Sequence, residues 1–261
     1  MLLSWRNYGE RGILSNVKNA SNDKEPTPAA TPPNAPTAVL TRAFTLPFAV
    51  FLIALALVEP VKWGFADSTS VLLRHPAFLV YPIQTLACLG ILVFYWRRYP
   101  WKPVCGLGWG VLAGLGALGI WLAPQLLLGQ APRTEGFNPE LLKDQPALYT
   151  ATIAFRFLRL VIVVPLLEEI FWRGFLMRYL AKERWTELPF GACNQMSFLV
   201  TAAAFALVHQ VPDMPAAFLT GLLFNAVAVK TRSLAACVIA HAVTNLALGI
   251  YIMRTGQWGF W

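Results

Sequence analysis

The stretch Pro165-Leu-Leu-Glu168-Glu169-Ile-Phe-Trp-Arg173-Gly-Phe-Leu-Met-Arg178 places two adjacent carboxylates and an arginine inside a long apolar run. A run of this length and composition predicts a membrane-spanning helix. Each charged side chain at the centre of a bilayer costs about 2.5–3.5 kcal/mol, so charges there require a structural or functional reason. Glu169 and Arg173 are expected to pair on one helical face, whereas Glu168 lies about 100° away around the helix. We therefore expect one carboxylate to be structural and the other to be available for chemistry.

The composition is that of a membrane protein. Of the 261 residues, 57% are hydrophobic and only 13% are charged, which is too apolar for an ordinary soluble domain. The net charge of +8 could indicate nucleic-acid binding, but most Lys and Arg lie in short connections between apolar runs. No basic stripe alternates with aromatic residues, so no nucleic-acid partner is expected. The four cysteines form no CxxC pair and predict neither a disulfide framework nor a zinc ribbon.

The predicted fold class is all-α, a polytopic transmembrane bundle of about seven helices with a disordered N-terminal tail. Residues 1–41 are rich in Pro, Ala, Thr, Ser and Asn and are expected to form that tail. The apolar segments are predicted at about 44–63, 77–96, 104–128, 150–180, 195–210, 215–230 and 233–253. The fifth and sixth are short for independent spans, which leaves open packing-dependent or partly re-entrant segments. Residues 42–149 are assigned to N-terminal transmembrane helices, and 254–261 to an aromatic C-terminal tail whose tryptophans are interpreted as interfacial anchors.

The distribution of Lys and Arg predicts that the N-terminus lies inside and the C-terminus outside, because cytoplasmic connections carry an excess of these residues. On this orientation the inner face receives Arg6, Arg11, Lys18, Lys24, Arg42, Arg97, Arg98, Lys102, Arg178, Lys182, Arg184, Lys230 and Arg232. The outer face receives the smaller set of Lys62, Arg74, Arg133, Lys143 and Arg254.

Glycines in the third apolar segment predict close helix packing. Gly114, Gly116 and Gly119 formally match a dinucleotide-binding pattern, but no strand precedes them and the whole segment is apolar. A small-residue surface for contact with another helix is the favoured interpretation.

Three predicted membrane helices carry polar side chains that could support catalysis. His209 follows a helix of small residues, and His241 and Asn245 are four residues apart and share one helical face. A histidine bonded to a neighbouring backbone carbonyl would be the default interpretation of either ring. However, helices in a bilayer bury polar groups toward a common interior or water-filled cavity, so we expect these side chains to meet Glu168.

Together these side chains supply the components of a hydrolytic site. A carboxylate can take a proton from water, a histidine can hold that water, and a histidine–asparagine pair can stabilise the oxyanion formed at a carbonyl. No serine or cysteine lies in an evident nucleophile motif, so direct attack by water is preferred over an acyl-enzyme.

The pattern Glu168-Glu169-x-x-x-Arg173, Phe205-x-x-x-His209 and His241-x-x-x-Asn245 resembles the CPBP family of intramembrane proteases. That family includes CAAX prenyl endopeptidases and bacterial Abi proteins. The similarity covers about residues 150–250, and residues 150–253 would form the protease core. Flanking strings such as Arg97-Arg98-Tyr99-Pro100 further resemble a CAAX-protease-related subgroup that accompanies exosortase systems in bacteria, which implies a bacterial cytoplasmic membrane.

The resemblance implies a role for each matching position. Glu168 would be the general base, His209 would hold the attacking water, and His241 with Asn245 would form the oxyanion site. Glu169 and Arg173 would fix the constellation. The resemblance implies no cofactor, although two histidines and a glutamate would also suit zinc, which remains the less favoured alternative.

Two functional hypotheses follow. The first is an intramembrane endopeptidase, acting near the inner membrane face by glutamate-activated attack of water. Its partners would be the lipid bilayer and a peptide or protein substrate, with lipid-linked and exosortase-associated substrates both open. The alternative is a non-catalytic scaffold, immunity or transport protein in which the polar cluster is structural. Glu168→Gln separates them, because only the protease requires the base.

Overall fold

The computed structural model describes residues 37–261, and over this range the chain is helical, with no strand. This confirms the predicted all-α bundle for the described residues. The predicted tail lies outside them up to residue 36. The first helix begins at Thr37, so the last residues assigned to the tail are helical.

The helices that define the architecture, in chain order, are α1 (Thr37–Ala56), α2 (Val58–Gly64), α3 (Val71–Arg74), α4 (Ala77–Phe94), α5 (Leu107–Leu128), α6 (Pro146–Phe157), α7 (Val164–Phe171), α8 (Met177–Ala181), α9 (Gln195–Leu207), α10 (Met214–Thr231) and α11 (Leu234–Thr255). Helices α6, α7 and α8 form one continuous helix, Pro146–Ala181, which we call the long helix. Two π-helical stretches interrupt it, Leu158–Val163 and Trp172–Leu176. Single π-turns inside α-helices occur often at functional sites, and these two flank Glu168 and Glu169.

Within the described part of the chain, 6 helical stretches are long and apolar enough to cross a membrane. They are Thr37–Gly64, Ala77–Phe94, Leu107–Leu128, Pro146–Ala181, Val211–Thr231 and Leu234–Thr255. The protein is therefore a multi-pass membrane protein. The sixth predicted segment is longer than expected and can span. Helix α9, with 13 residues, rises only about 20 Å, less than the hydrocarbon thickness of a bilayer, as its short apolar run indicated.

The connections gather at two opposite ends of the bundle. At one end, the Tyr99 hydroxyl donates to the Ala43 carbonyl at 3.0 Å, and the Ser233 hydroxyl donates to the Pro103 carbonyl at 2.8 Å. The chain thus returns to this end between α4 and α5 and again between α10 and α11. We call it the cationic end, because the described residues of the predicted inner set lie in its connections and adjoining helix termini: Arg42, Arg97, Arg98, Lys102, Arg178, Lys182, Arg184, Lys230 and Arg232.

The opposite end contains the last residues of the chain, and we call it the C-terminal end. The connection after α5 meets the start of α10 there, where Arg133 forms an ion pair with Asp213. The same connection meets the residues after α11, since the Gly259 N–H donates to the Arg133 carbonyl at 2.9 Å. The six helical stretches that can cross a membrane, together with α9, therefore run between the two ends.

The small-residue packing predicted for the third segment is confirmed. Gly110 and Gly114 of α5 face the backbone of α11 so closely that an added Cβ would lie 2.5 Å from the Ala236 and Ala240 carbonyl oxygens, respectively. These glycines let the α11 backbone approach α5, which fixes the helix carrying His241 against the bundle.

The C-terminal tryptophans do not fit the expectation of interfacial anchors. Trp258 is only 8% exposed and packs with Leu122, Leu248 and Ile252. The Trp261 ring lies 6.0 Å from the Phe137 ring, centroid to centroid. A short helical turn after α11 folds the chain end back onto the bundle, which a hydropathy pattern does not reveal.

Candidate active site

Glu168 and Glu169 occupy different environments although they are adjacent in α7. Glu169 is completely buried, whereas Glu168 is 7% exposed and lines a cavity. Oε2 of each glutamate is buried without a hydrogen-bond partner among residues 37–261. Glu169, however, accepts two hydrogen bonds at Oε1, whereas Glu168 accepts none from the described residues. The pattern of one paired and one available carboxylate is therefore present in the structure.

Glu169 joins a buried hydrogen-bond network. Its Oε1 accepts from Arg173 Nη1 at 3.0 Å and from His241 Nδ1 at 2.9 Å. Arg173 Nε donates to Asn225 Oδ1 at 2.9 Å, and Asn225 Nδ2 donates to the Phe198 carbonyl at 2.8 Å. The network ties α7 to α9, α10 and α11. It fixes the orientation of the His241 ring, because the carboxylate determines which ring nitrogen carries the proton.

Asn245 is fixed by a gap in the backbone ladder of the long helix. In the first π-helical stretch, the Val164 N–H donates to the Arg159 carbonyl, five residues back. The next carbonyl in this register belongs to Leu160, and its donor would be residue 165, a proline without an N–H. Asn245 Nδ2 donates to that carbonyl at 2.8 Å. Its second amide hydrogen remains available for a ligand.

His209 lies two residues beyond the end of α9. Its Nδ1 lies 2.7 Å from the Phe205 carbonyl oxygen, which can only accept, so Nδ1 carries a proton. In the neutral ring Nε2 is then an acceptor. The imidazole packs near the rings of Phe205 and Trp121, at centroid distances of 4.8 and 5.8 Å.

A cavity of about 260 Å³ brings four of the predicted site residues together. Glu168, His209, His241 and Asn245 all line it. Glu169 and Arg173 lie outside its lining and support His241 from behind. The structure thus separates four predicted site residues that line the cavity from two that lie behind it, and the catalytic roles stay predictions.

The cavity extends from Glu168 toward the C-terminal end of the bundle. Its lining includes exposed Gln210, part-buried Asp213 and the last three residues of the chain. On the predicted orientation this is the outer end. The predicted orientation and the predicted cleavage near the inner membrane face therefore place the reaction at opposite ends of the bundle, so the two predictions do not agree with each other.

Two arginines of the long helix also line the cavity, and the sequence interpretation did not assign them a role. Arg159 donates from Nε to Gln84 Oε1 at 2.8 Å, and Gln84 Nε2 donates to the Phe51 carbonyl at 2.6 Å. Arg156 is 3% exposed and packs against aromatic rings. The sequence did contain a signal for them. A charged side chain inside a membrane helix is costly, and this cost applies to Arg156 and Arg159 as much as to Glu168.

Among the described residues, no group of three His, Cys, Asp or Glu side chains is placed to hold a metal ion. His241 already uses Nδ1 for Glu169, and His209 uses Nδ1 for a backbone carbonyl. The side chains that line the cavity and could bind a metal are therefore not arranged as a metal-binding site within the described residues.

A comparison with protein families finds one match. Residues 150–247 match the family model described as type II CAAX prenyl endopeptidase Rce1-like. The matched range contains all six predicted site residues. No curated protein and no solved structure matches the chain.

Proposed function

We propose that the protein is an intramembrane endopeptidase that uses Glu168 to activate water, because residues 150–247 match the model of the Rce1-like family of CAAX prenyl endopeptidases. The observation that carries this proposal is the position of Glu168. It is the one of the two adjacent glutamates that lines the cavity, together with His209, His241 and Asn245.

In the proposed reaction, the Glu168 carboxylate removes a proton from a water molecule as its oxygen attacks the peptide carbonyl carbon. His209 Nε2, the acceptor of the neutral ring, takes a hydrogen bond from the same water and orients it. Collapse of the tetrahedral intermediate breaks the C–N bond, and protonated Glu168 passes its proton to the leaving amine. The carboxyl product keeps the water oxygen, so atoms and charge balance.

The oxyanion of the intermediate would receive hydrogen bonds from Asn245 and His241. Asn245 has one amide hydrogen left after its bond to Leu160. His241 donates from Nε2 only when the ring carries both protons, because Nδ1 already donates to Glu169. Glu169 would therefore act as a positioning residue that holds the His241 ring in place.

The test is cleavage of a diverse peptide pool by the purified protein in detergent or liposomes. We expect wild-type protein to cleave and Glu168→Gln to lose about 10²–10⁴-fold in rate, the usual contribution of a general base. A chelator arm separates the zinc alternative, since inhibition by the chelator would indicate a metal-dependent reaction. Equal cleavage by wild type and Glu168→Gln would show that Glu168 is not the general base, and cleavage by neither would favour the non-catalytic alternative.

We also propose that the cavity opens on the non-cytoplasmic side. The cationic end holds most of the Lys and Arg in the described connections, and the cavity extends to the opposite end. The test compares Arg98→Cys with Thr255→Cys in a cysteine-free background, using a membrane-impermeant thiol reagent on intact cells. Labelling of Thr255→Cys alone is expected, and labelling of Arg98→Cys alone would reverse the orientation.

A further inference from the structure

Arg156 is a buried cation that the proposed hydrolysis does not use. It is 3% exposed, and its Nε and Nη1 atoms are buried without hydrogen-bond partners in the described range. Burying a guanidinium is costly unless its charge and donors are matched. Matching groups are therefore expected from a ligand.

Among the described residues, the Arg156 guanidinium meets the faces of three aromatic rings, and the Tyr81 hydroxyl is the one polar side-chain group that interacts with it. Its Cζ lies 4.6 Å from the Phe137 ring centroid, 5.1 Å from that of Tyr81 and 5.4 Å from that of Trp261. Aromatic rings stabilise the charge but accept no strong hydrogen bonds in the guanidinium plane. The ion pair at this end of the bundle joins Asp213 to Arg133 and does not include Arg156.

The contrast with Arg159 supports a ligand at Arg156. Arg159 lies one turn further along the long helix, and its Nε donates to Gln84. Arg159 thus has an amide acceptor for its Nε, whereas Nε and Nη1 of Arg156 have no partner among the described residues. Both guanidiniums line the cavity that contains Glu168, whereas Asp213, the other acidic lining residue, is already paired. This wall of the cavity therefore carries excess positive charge.

Resting on the proposed function, we propose that Arg156 is an anion subsite of the cleavage cavity and binds a carboxylate of the peptide substrate. The helical rise from Arg156 to Glu168 is about 18 Å, which an extended peptide spans with about five residues. The substrate would therefore carry its carboxylate about five residues from the cleaved bond. Either the C-terminal carboxylate or an Asp or Glu side chain supplies this chemistry.

The experiment measures binding without turnover, using the full chain with Glu168→Gln in detergent micelles. The probes are three pools of ten-residue apolar peptides: one with a free C-terminal carboxylate, one amidated, and one amidated with a single internal Glu. We expect amidation to weaken binding about tenfold, as for the loss of a charged hydrogen bond. Recovery in the third pool would identify a side-chain carboxylate, and no recovery would identify the C-terminus.

Added substitutions connect this preference to Arg156. Arg156→Gln should abolish the difference between the free and amidated pools, and Arg156→Lys should keep part of it because the charge remains. Arg254→Gln, an exposed arginine near the same end of the bundle, should leave it unchanged. If Arg156→Gln does not fold, the Lys variant and the comparison of pools on unaltered Arg156 still decide.

Binding without any carboxylate preference, absence of binding, or the same preference in Arg156→Gln would overturn the subsite. These outcomes test the subsite and can be distinguished from a failure of the proposed endopeptidase activity. Cleavage of free and amidated pools at equal rates would leave the protease and remove the subsite. A carboxylate preference without cleavage by wild type would leave the subsite and remove the protease.

Discussion

The two sides of helix α7 differ in how their charges are matched. On the Glu169 side, the network through Arg173, His241 and Asn225 gives each member a hydrogen-bonded partner. Glu169 itself still keeps one buried oxygen, Oε2, without a partner among the described residues. On the cavity side, Glu168 accepts no hydrogen bond at either carboxylate oxygen within residues 37–261, and Arg156 of α6 has two buried nitrogens without a partner there. Matched groups contribute to a defined fold, whereas unmatched groups cost stability and are retained where a ligand completes them. Two adjacent carboxylates can therefore differ in purpose, one holding the helices together and the other left open to a ligand.

The largest effect on stability is expected from Arg173→Met, which breaks the matched side. The substitution leaves the Glu169 carboxylate buried without its cationic partner, so the free energy of unfolding should fall by about 3–5 kcal/mol. The measurement is an unfolding titration in detergent micelles. Arg254→Met, at an exposed position of α11, is the control and should change the value by no more than about 0.5 kcal/mol. Similar values for both variants would show that the network contributes little.

An intermediate effect is expected from Asn245→Leu, which leaves the Leu160 carbonyl without its donor. The cost should be about 1–3 kcal/mol, the usual penalty for an unpaired acceptor. Pro165→Ala supplies the missing backbone N–H in the π-helical register, so it should recover part of the loss. Thermal unfolding of the two single variants and the double variant measures this coupling. Strict additivity would contradict the assignment of the Leu160 carbonyl.

The smallest effect on stability, and one of opposite sign, is expected from Glu168→Gln. The neutral amide is cheaper to bury than an unmatched carboxylate, so the free energy of unfolding should rise by about 1 kcal/mol even though cleavage is lost. Glu169→Gln is the matched control, because the same chemical change removes the carboxylate from the network and should lower stability. The same sign for the two variants would remove the distinction between the two sides of α7.

Much of the bundle could be predicted from the sequence because apolar length reports directly on membrane spans. Spacing also indicated the contact between Glu169 and Arg173, since i,i+4 neighbours meet on a helix without help from tertiary structure. The convergence of Glu168, His209, His241 and Asn245 required the further assumption that intramembrane polar groups share one interior. The structure agrees with that assumption.

The remaining features depend on tertiary geometry that has no local sequence signal. The bond between Asn245 and Leu160 requires a change of helical register, which neither residue encodes alone. The surroundings of Arg156 depend on rings that come from α4, from the connection after α5 and from the last residue of the sequence. The burial of Trp258 depends on the turn that reverses the chain after α11.

The first π-helical stretch has a consequence for how the cavity can change between related proteins. It lies between Arg156 and Glu168 and contains one residue more than an α-helical turn would require. Loss of a single residue there would rotate one half of the long helix by about 100° relative to the other and shorten the separation by about 1.5 Å. Arg156 would then leave the face shared with Glu168, while each half kept its own packing. A single deletion there would thus keep the same hydrolytic residues in the cavity but change which side chain meets the distant part of the substrate.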